Sequence, residues 1–444
     1  MKVTVIGAGS TYTPEVMEGL LARRKSLPVS ELVLMDIDER KLRIVGGLIQ
    51  RMAAHGAPDM QVRLTMDLED ALQDATFVFG QIRVGKLPAR YLDESIPLKY
   101  GLIGQETTGM GGFFNGLRTI PPMLHIAHQM ERLCPNAWLI NFSNPSGMVA
   151  EALLRYSSVR AIGLCNIPIN TIADMKKAVG SDDITVETVG LNHLSWVTSV
   201  MKDGQELLNE LIEKGYCGEK PANLPKSSFD SDCMRACGGI PNCYLIYYYD
   251  RVHQLEKLKT AEKTRAQVCM EIEESLLNMY QDEGLYQKPE LLNKRGGHLY
   301  SEAAISLADS IYNDTGDTQT VNVKNEGILP YLEPEEVAEI ACLIDHNGAH
   351  PLPIKAQGTP HMIQLIQSIK AYERLAVEAA VHGDRDAAIA AMLCHPLIGD
   401  YHSAVACFDE MLQAHREYLP QFPDRKSTRL NSSHPTTSRM PSSA

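Results

Sequence analysis

The chain has 444 residues, 44% hydrophobic and 22% charged, with a formal net charge of −13. That length suits two domains or one large α/β unit with an elaborated second half, and the acidic balance argues against nucleic acid as a partner. No stretch is long and apolar enough to span a bilayer, and Met1-Lys2 runs straight into Val3–Ile6, a strand rather than a secretory signal. A cytoplasmic protein is therefore expected, with its ten cysteines reduced. An anionic small molecule stays open as a ligand, but it demands a basic pocket built against the global field.

Val3–Ile6 leads into Gly7-Ala8-Gly9-Ser10-Thr11-Tyr12-Thr13-Pro14, a strand, a glycine turn and a helix start. Pro14 suits the first helical turn, where its missing N–H costs nothing. Such a turn aims backbone N–H groups and a helix N-terminus at a pyrophosphate, with Gly7, Gly9, Ser10 and Thr11 as the contacting residues. Tyr12 stands where the third glycine of the dinucleotide fingerprint belongs. The next strand, Leu32–Met35, ends at Asp36, placed to accept the ribose hydroxyls and to favour NAD over NADP; Asp38 is the second choice.

Thr76–Gly80 reads as a further strand, followed by the cations Arg83, Lys86 and Arg90. These suit either an anion or a solvated helix start. Gly101–Gly112 is a glycine-rich loop carrying Glu106, read as a binding loop. A helix from about Leu117 to Arg132 precedes the strand Ala137–Ile140, which ends in Asn141-Phe142-Ser143-Asn144-Pro145. Ala161–Leu164 is a short buried strand with Cys165 and Asn166 at its carboxyl end, where ligands sit in an open α/β sheet. Val186–Gly190 is another strand, and His193 follows it. Cys165 and His193 can meet as one metal pair with open positions for substrate. The plainer alternative is a Cys165 that is merely a small buried hydrophobe.

Beyond His193 the alternation of strand and helix becomes irregular. Helices are expected at Glu206–Lys214, Lys259–Asn278, Glu302–Asn313, Glu333–Asp345, Pro360–His382 and Asp384–Cys394, with a polar loop at Pro221–Ser231. Tyr244, Tyr247, Tyr248 and Tyr249 fall within six residues. Cys233, Cys237 and Cys243 match no strong zinc spacing and read as ordinary packing. From about Lys426 the composition turns to Ser, Thr, Arg and Pro, so 426–444 is expected to be a disordered or foreign tail. The fold class is α/β: an NAD-binding Rossmann-like domain over 1–164, then a mostly helical α+β domain over 165–425 that binds metal and substrate.

Gly9–Pro14, Arg83-Val84-Gly85-Lys86, Gly104-Gln105-Glu106-Thr107, Asn141–Pro145, Leu164–Pro168, Gly190–His193 and Pro241-Asn242-Cys243-Tyr244-Leu245 occur in one order. That series resembles glycoside hydrolase family 4, glycosidases dependent on NAD and a divalent metal, which stand outside the two-carboxylate scheme. Cys165-Asn166 resembles the 6-phospho-β-glucosidase branch, whereas α-acting members usually carry Cys-Asp. The resemblance implies a second half like that of lactate and malate dehydrogenases, which also mediates oligomerisation. It further implies oxidation of the sugar's third carbon by NAD⁺, loss of the second-carbon proton to a tyrosine, elimination of the aglycone, addition of water, and reduction. By the same resemblance Cys165 and His193 ligate manganese(II), Tyr244 is the base with Tyr247 as second choice, and Arg90, Asn144, Asn166 and Arg265 contact substrate. The donor of the leaving-group proton is unassigned, with Glu106 as a candidate. The implied partner is a phosphorylated β-glucoside and the implied assembly a homodimer or homotetramer. A 2-hydroxy-acid dehydrogenase and a non-catalytic NAD sensor are the competing readings.

Overall fold

A nine-stranded sheet organises the chain, and its first six strands run parallel in the spatial order 3-2-1-4-5-6. They are β1 (Lys2–Ile6), β2 (Glu31–Met35), β3 (Gln61–Thr65), β4 (Phe77–Gly80), β5 (Trp138–Asn141) and β6 (Arg160–Gly163). That order defines a doubly wound dinucleotide fold, with ligands outside the carboxyl ends of the strands. The central strands bury both faces: Val3, Val5, Leu32, Val33, Leu34, Val78, Phe79, Leu139 and Ile140 are fully enclosed. They read as short continuous apolar runs for that reason. The computed structural model describes residues 1–216, 229–295 and 300–423; the tail expected over 426–444 and most of the loop expected at 221–231 lie outside the described residues.

The second half extends the same sheet. A β-meander of β11 (Asp317–Lys324), β12 (Val337–Asp345) and β13 (Gly348–Pro351) adds antiparallel strands beside β6. The junction is a single register pair, Asn322 with Gly163. A Cβ on Gly163 would come within 2.9 Å of both Asn322 and Ala150, so only glycine lets the strands approach. A second sheet holds the hairpin β7 (Thr185–Leu191) and β8 (Leu194–Lys202), flanked by β9 (Gln205–Glu206) and β10 (Ile240–Pro241).

Three expectations are corrected. Glu333–Asp345 is not a helix: from Val337 it is β12, held between β11 and β13. Its Ala and Glu residues favour helix, and the ladder on both sides overrides them. The helix expected over Lys259–Asn278 is two, Arg251–Thr260 and Arg265–Tyr280. The second starts at a capping box: Gln267 N–H donates to Thr264 Oγ1 and Thr264 N–H to Gln267 Oε1. Within the glycine-rich segment, Gly109–Gly112 is already helical, the first turn of Gly109–Leu133. The helices Pro360–His382 and Arg385–Cys394 match expectation, and among the described residues no helix is long and apolar enough to cross a membrane.

Thr264→Ala removes the cap that separates the two helices. It should lower unfolding free energy by about 1 kcal/mol, read as a shift of the urea midpoint at unchanged slope.

Candidate active site

The carboxyl ends of β1, β2, β4, β5 and β6 open into one cavity of about 810 Å³. At one end is the glycine turn. Gly7 has φ +86°, and a Cβ there would meet the Gln81 carbonyl at 2.7 Å. The helix Thr13–Ala22 begins at Tyr12 with no side-chain cap; Thr13 N–H bonds the Ser10 carbonyl at 3.1 Å and Glu15 N–H the Tyr12 carbonyl at 2.9 Å, so it is the turn residues Gly7, Gly9, Ser10 and Tyr12 that line the cavity. Asp36 braces the turn: one carboxylate oxygen accepts Gly9 N–H at 2.8 Å and the other accepts Asp38 N–H at 2.8 Å. Asp38 caps the helix Glu39–Gly56 and pairs with Lys86 at 2.6 Å.

At the other end, Cys165 Sγ lies 3.4 Å from His193 Nε2. Cys165 is the N-cap of the helix Asn166–Val179, directly after β6. His193 sits in the two-residue turn between β7 and β8 with φ +62°, a left-handed conformation that costs a non-glycine residue about 1–2 kcal/mol. The β7–β8 ladder, paired up to Leu191 and Leu194, imposes that conformation and so sets the imidazole at the hairpin tip. The Tyr244 ring stacks on His193 with centroids 3.9 Å apart. Burial pushes the Cys165 thiol well above its ordinary range and His193 down to about 4. Burial, then the charge of Glu106, raises the Tyr244 phenol far above 10.

These donors fit a divalent cation. A sulfur and an unprotonated imidazole nitrogen face each other at a spacing one ion can bridge, and positive charge there favours the thiolate. The glycine turn fits a dinucleotide as well: Gly7 lets the turn close against the Gln81 backbone, and Gly9 and Ser10 are left on the cavity wall beside Asp36.

Between the two ends lie charges that mostly compensate. Glu106 bridges Arg83 and Arg90, the latter at 2.9 Å. Burial alone would raise its carboxyl, but the two guanidinium groups outweigh it and hold Glu106 ionised. Arg90 also pairs with Glu94 at 2.7 Å. Asn144 and Asn166 line the wall. Thr11 and Arg265 do not: Thr11 is enclosed behind the turn, and Arg265 donates to the carbonyls of Lys294 and Arg295. Tyr247 is likewise buried off the wall.

Sequence reasoning missed two groups. Arg295 lines the cavity, donates to Thr11 Oγ1 at 2.7 Å and pairs with Glu273 at 3.4 Å; no local motif announces it. Glu339, on β12, is buried and accepts from Asn192 Nδ2 at 3.0 Å and Ser195 Oγ at 3.3 Å. Burial lifts its carboxyl to about 7 against those two hydrogen bonds. Recognising Val337–Asp345 as a strand would have exposed it.

The family described as family 4 glycosyl hydrolase matches residues 2–181, and its C-terminal domain matches residues 188–398. The chain belongs to glycosyl hydrolase family 4. A probable 6-phospho-beta-glucosidase of Bacillus subtilis is 45% identical over 441 residues, covering 95% of this chain and 98% of that one. A 6-phospho-beta-glucosidase of Escherichia coli is 39% identical, covering 96% and 97%. The solved 6-phospho-beta glucosidase of Thermotoga maritima with manganese, NAD⁺ and glucose-6-phosphate superposes with a TM-score of 0.85 at 35% identity, covering 94% and 99%. Malate dehydrogenase of Plasmodium falciparum shares the fold alone, with a TM-score of 0.54 at 14% identity over 86% of this chain and 98% of that one.

In this family 4 chain, Cys165→Ser and His193→Ala should each abolish tight Mn²⁺ binding, read by electron paramagnetic resonance, while NAD⁺ affinity is retained. Full Mn²⁺ affinity in either variant rules the pair out. Native protein should bind NAD⁺ more tightly than NADP⁺, and Asp36→Arg should narrow or reverse that ratio in a fluorescence titration. Equal native affinities would remove Asp36 from the ribose site.

Proposed function

We propose that the chain is a 6-phospho-β-glucosidase acting on phosphorylated β-glucosides such as cellobiose 6-phosphate, by oxidation, elimination, addition and reduction. The observation that carries this reading is the stack of Tyr244 on His193, with His193 3.4 Å from Cys165, in the same cavity as the glycine turn. A glycosidase of the two-carboxylate type needs one protonated and one ionised acid flanking the bond. Here Glu106, the acid whose charge acts most strongly on Tyr244, is held ionised between two arginines. The names of the Bacillus subtilis and Escherichia coli relatives support the β-glucoside.

NAD⁺ and a divalent ion, Mn²⁺ in this reading, supply hydride transfer and Lewis acidity when bound. Gly7, Gly9 and Ser10 cradle the dinucleotide phosphates, and Asp36 takes the ribose. Arg90, Asn144 and Asn166 orient the sugar phosphate. Arg265 acts at one remove, by holding the carbonyls of the turn that carries Arg295. The Tyr244 phenol oxygen removes the proton from the sugar's second carbon. Burial keeps that phenol protonated; a cation held by Cys165 and His193 would lower the cost of ionising it, and the phenolate so formed is the state that accepts the proton.

The division of labour proposed is nucleotide binding by residues 1–164 and metal and substrate binding by 165–425. A cytoplasmic location suits the unpaired state of all nine cysteines among the described residues. A homodimer or homotetramer is the assembly expected by light scattering.

Turnover of a chromogenic 6-phospho-β-glucoside in D₂O should place deuterium on the second carbon of the released sugar phosphate. Tyr244→Phe should suppress both exchange and cleavage by roughly 10²–10⁴-fold, and enzyme stripped of NAD⁺ should be inactive. Cleavage that needs no NAD⁺ and leaves that carbon unlabelled would mean ordinary acid–base hydrolysis. Undiminished exchange in Tyr244→Phe would remove Tyr244 from the role of base.

A further inference from the structure

Glu339 is a buried carboxylate on β12, and among the described residues it makes no ion pair. The charge that reaches it is that of another acid, Glu373, whose own cation Lys370 is held at 2.6 Å and shared with Glu151 at 3.1 Å. Such a group is expensive to bury, and its hydrogen bonds lead in two directions, both into the site.

One direction is through Asn192. Its Nδ2 donates to Glu339 Oε1 at 3.0 Å, and the same side chain favours the ionised form of the Cys165 thiol. Asn192 is the first residue of the turn whose second residue is His193, so this amide fixes the strained tip from beneath. The other direction is through Ser195. Its Oγ donates to Glu339 Oε2 at 3.3 Å and accepts from Asn242 Nδ2 at 3.2 Å. Asn242 N–H donates to the Ser195 carbonyl at 2.8 Å, and Asn242 Oδ1 accepts Tyr244 N–H at 3.0 Å. Asn242 is the cap of the short helical turn Cys243–Leu245 that carries Tyr244.

We propose that Glu339 is a positioning residue for both halves of the reaction centre, setting His193 and Cys165 through Asn192 and setting Tyr244 through Ser195 and Asn242. Its two oxygens divide the work. The fold requires no carboxylate between β11 and β13; an apolar residue would suit that enclosed position better. A carboxylate there is useful because it orders two amides and a hydroxyl at once. Outer carboxylates of this kind alter metal affinity or activity about 10–100-fold when removed.

Four variants of the full chain test this: Glu339→Gln, Glu339→Ala, Asn192→Ala and Ser195→Ala. Mn²⁺ and NAD⁺ affinities are titrated separately, and kcat and KM are measured on the phosphorylated glucoside. The kcat arm rests on the function proposed above; the Mn²⁺ arm does not, so failure of one reading is separable from failure of the other. Glu339→Gln conserves volume and one acceptor, so it should fold. It should weaken Mn²⁺ binding about tenfold and lower kcat with KM little changed, and Glu339→Ala should be worse in both. Asn192→Ala should carry the Mn²⁺ defect, whereas Ser195→Ala should lower kcat at native Mn²⁺ affinity. NAD⁺ affinity should be native throughout. Equal losses of Mn²⁺ and NAD⁺ affinity in Glu339→Gln would reduce Glu339 to a structural group and overturn the proposal. Unchanged Mn²⁺ affinity and kcat would overturn it too, and an Mn²⁺ defect in Ser195→Ala matching that of Asn192→Ala would overturn the two-armed assignment.

Discussion

The site depends on one short approach between two sheets, the 3.4 Å from Cys165 Sγ to His193 Nε2. Cys165 ends a strand of the nine-stranded sheet, and His193 is the tip of a hairpin in the other. Neither sheet holds both donors, so the pair exists only when the sheets dock. Several costs in the chain shape the two strand exits that meet there. Gly163 and Gly190 give up side chains so that backbones can close, the latter at φ +143° with the Leu194 carbonyl 2.2 Å from where its Cβ would be. His193 accepts a left-handed backbone, strain of the kind stored at functional sites.

What was legible in the sequence was local. The glycine turn, Asp36, Cys165 and His193 each follow a short apolar strand, and residue type at a strand exit survives any error in packing. Tyr244 was legible only through family resemblance, because four tyrosines in six residues look like core, and Tyr247 is core in that sense. What failed was tertiary. Val337–Asp345 carries enough Ala and Glu to read as helix, and only the ladders on either side make it a strand. That single misreading hid Glu339. The break before Arg265 is a different case, since the Thr264 and Gln267 capping pair is written in the sequence. Arg295 carries no such sign; it matters because the fold brings it to Thr11.

The cavity also answers how an anion binds to a chain of charge −13. Five cations, Lys41, Arg83, Lys86, Arg90 and Arg295, face four carboxylates, Asp36, Asp38, Glu106 and Glu273, on its wall. The balance there is near neutral and slightly positive, against the sign of the whole molecule. Glu106 and Glu273 each serve two cations, while Lys86 on Asp38 and Arg90 on Glu94 each also hold a carboxylate that no other cation among the described residues pairs with. Shared counter-ions hold guanidinium groups in place without saturating their donors, which is what a phosphate needs from them.

The reaction centre is built on the opposite principle. Cys165, His193 and Tyr244 are all driven toward their neutral forms by burial, and Asn166 contributes an amide where an acid would add charge. Desolvation that disables each group alone also strengthens any interaction between charges placed among them, since Coulomb energies grow as the local dielectric falls. A dication there would stabilise the thiolate and phenolate against the burial that now opposes them. In the roles proposed, chemistry would be conditional on loading, because burial holds the Tyr244 phenol neutral and only a cation placed beside it would make it a base.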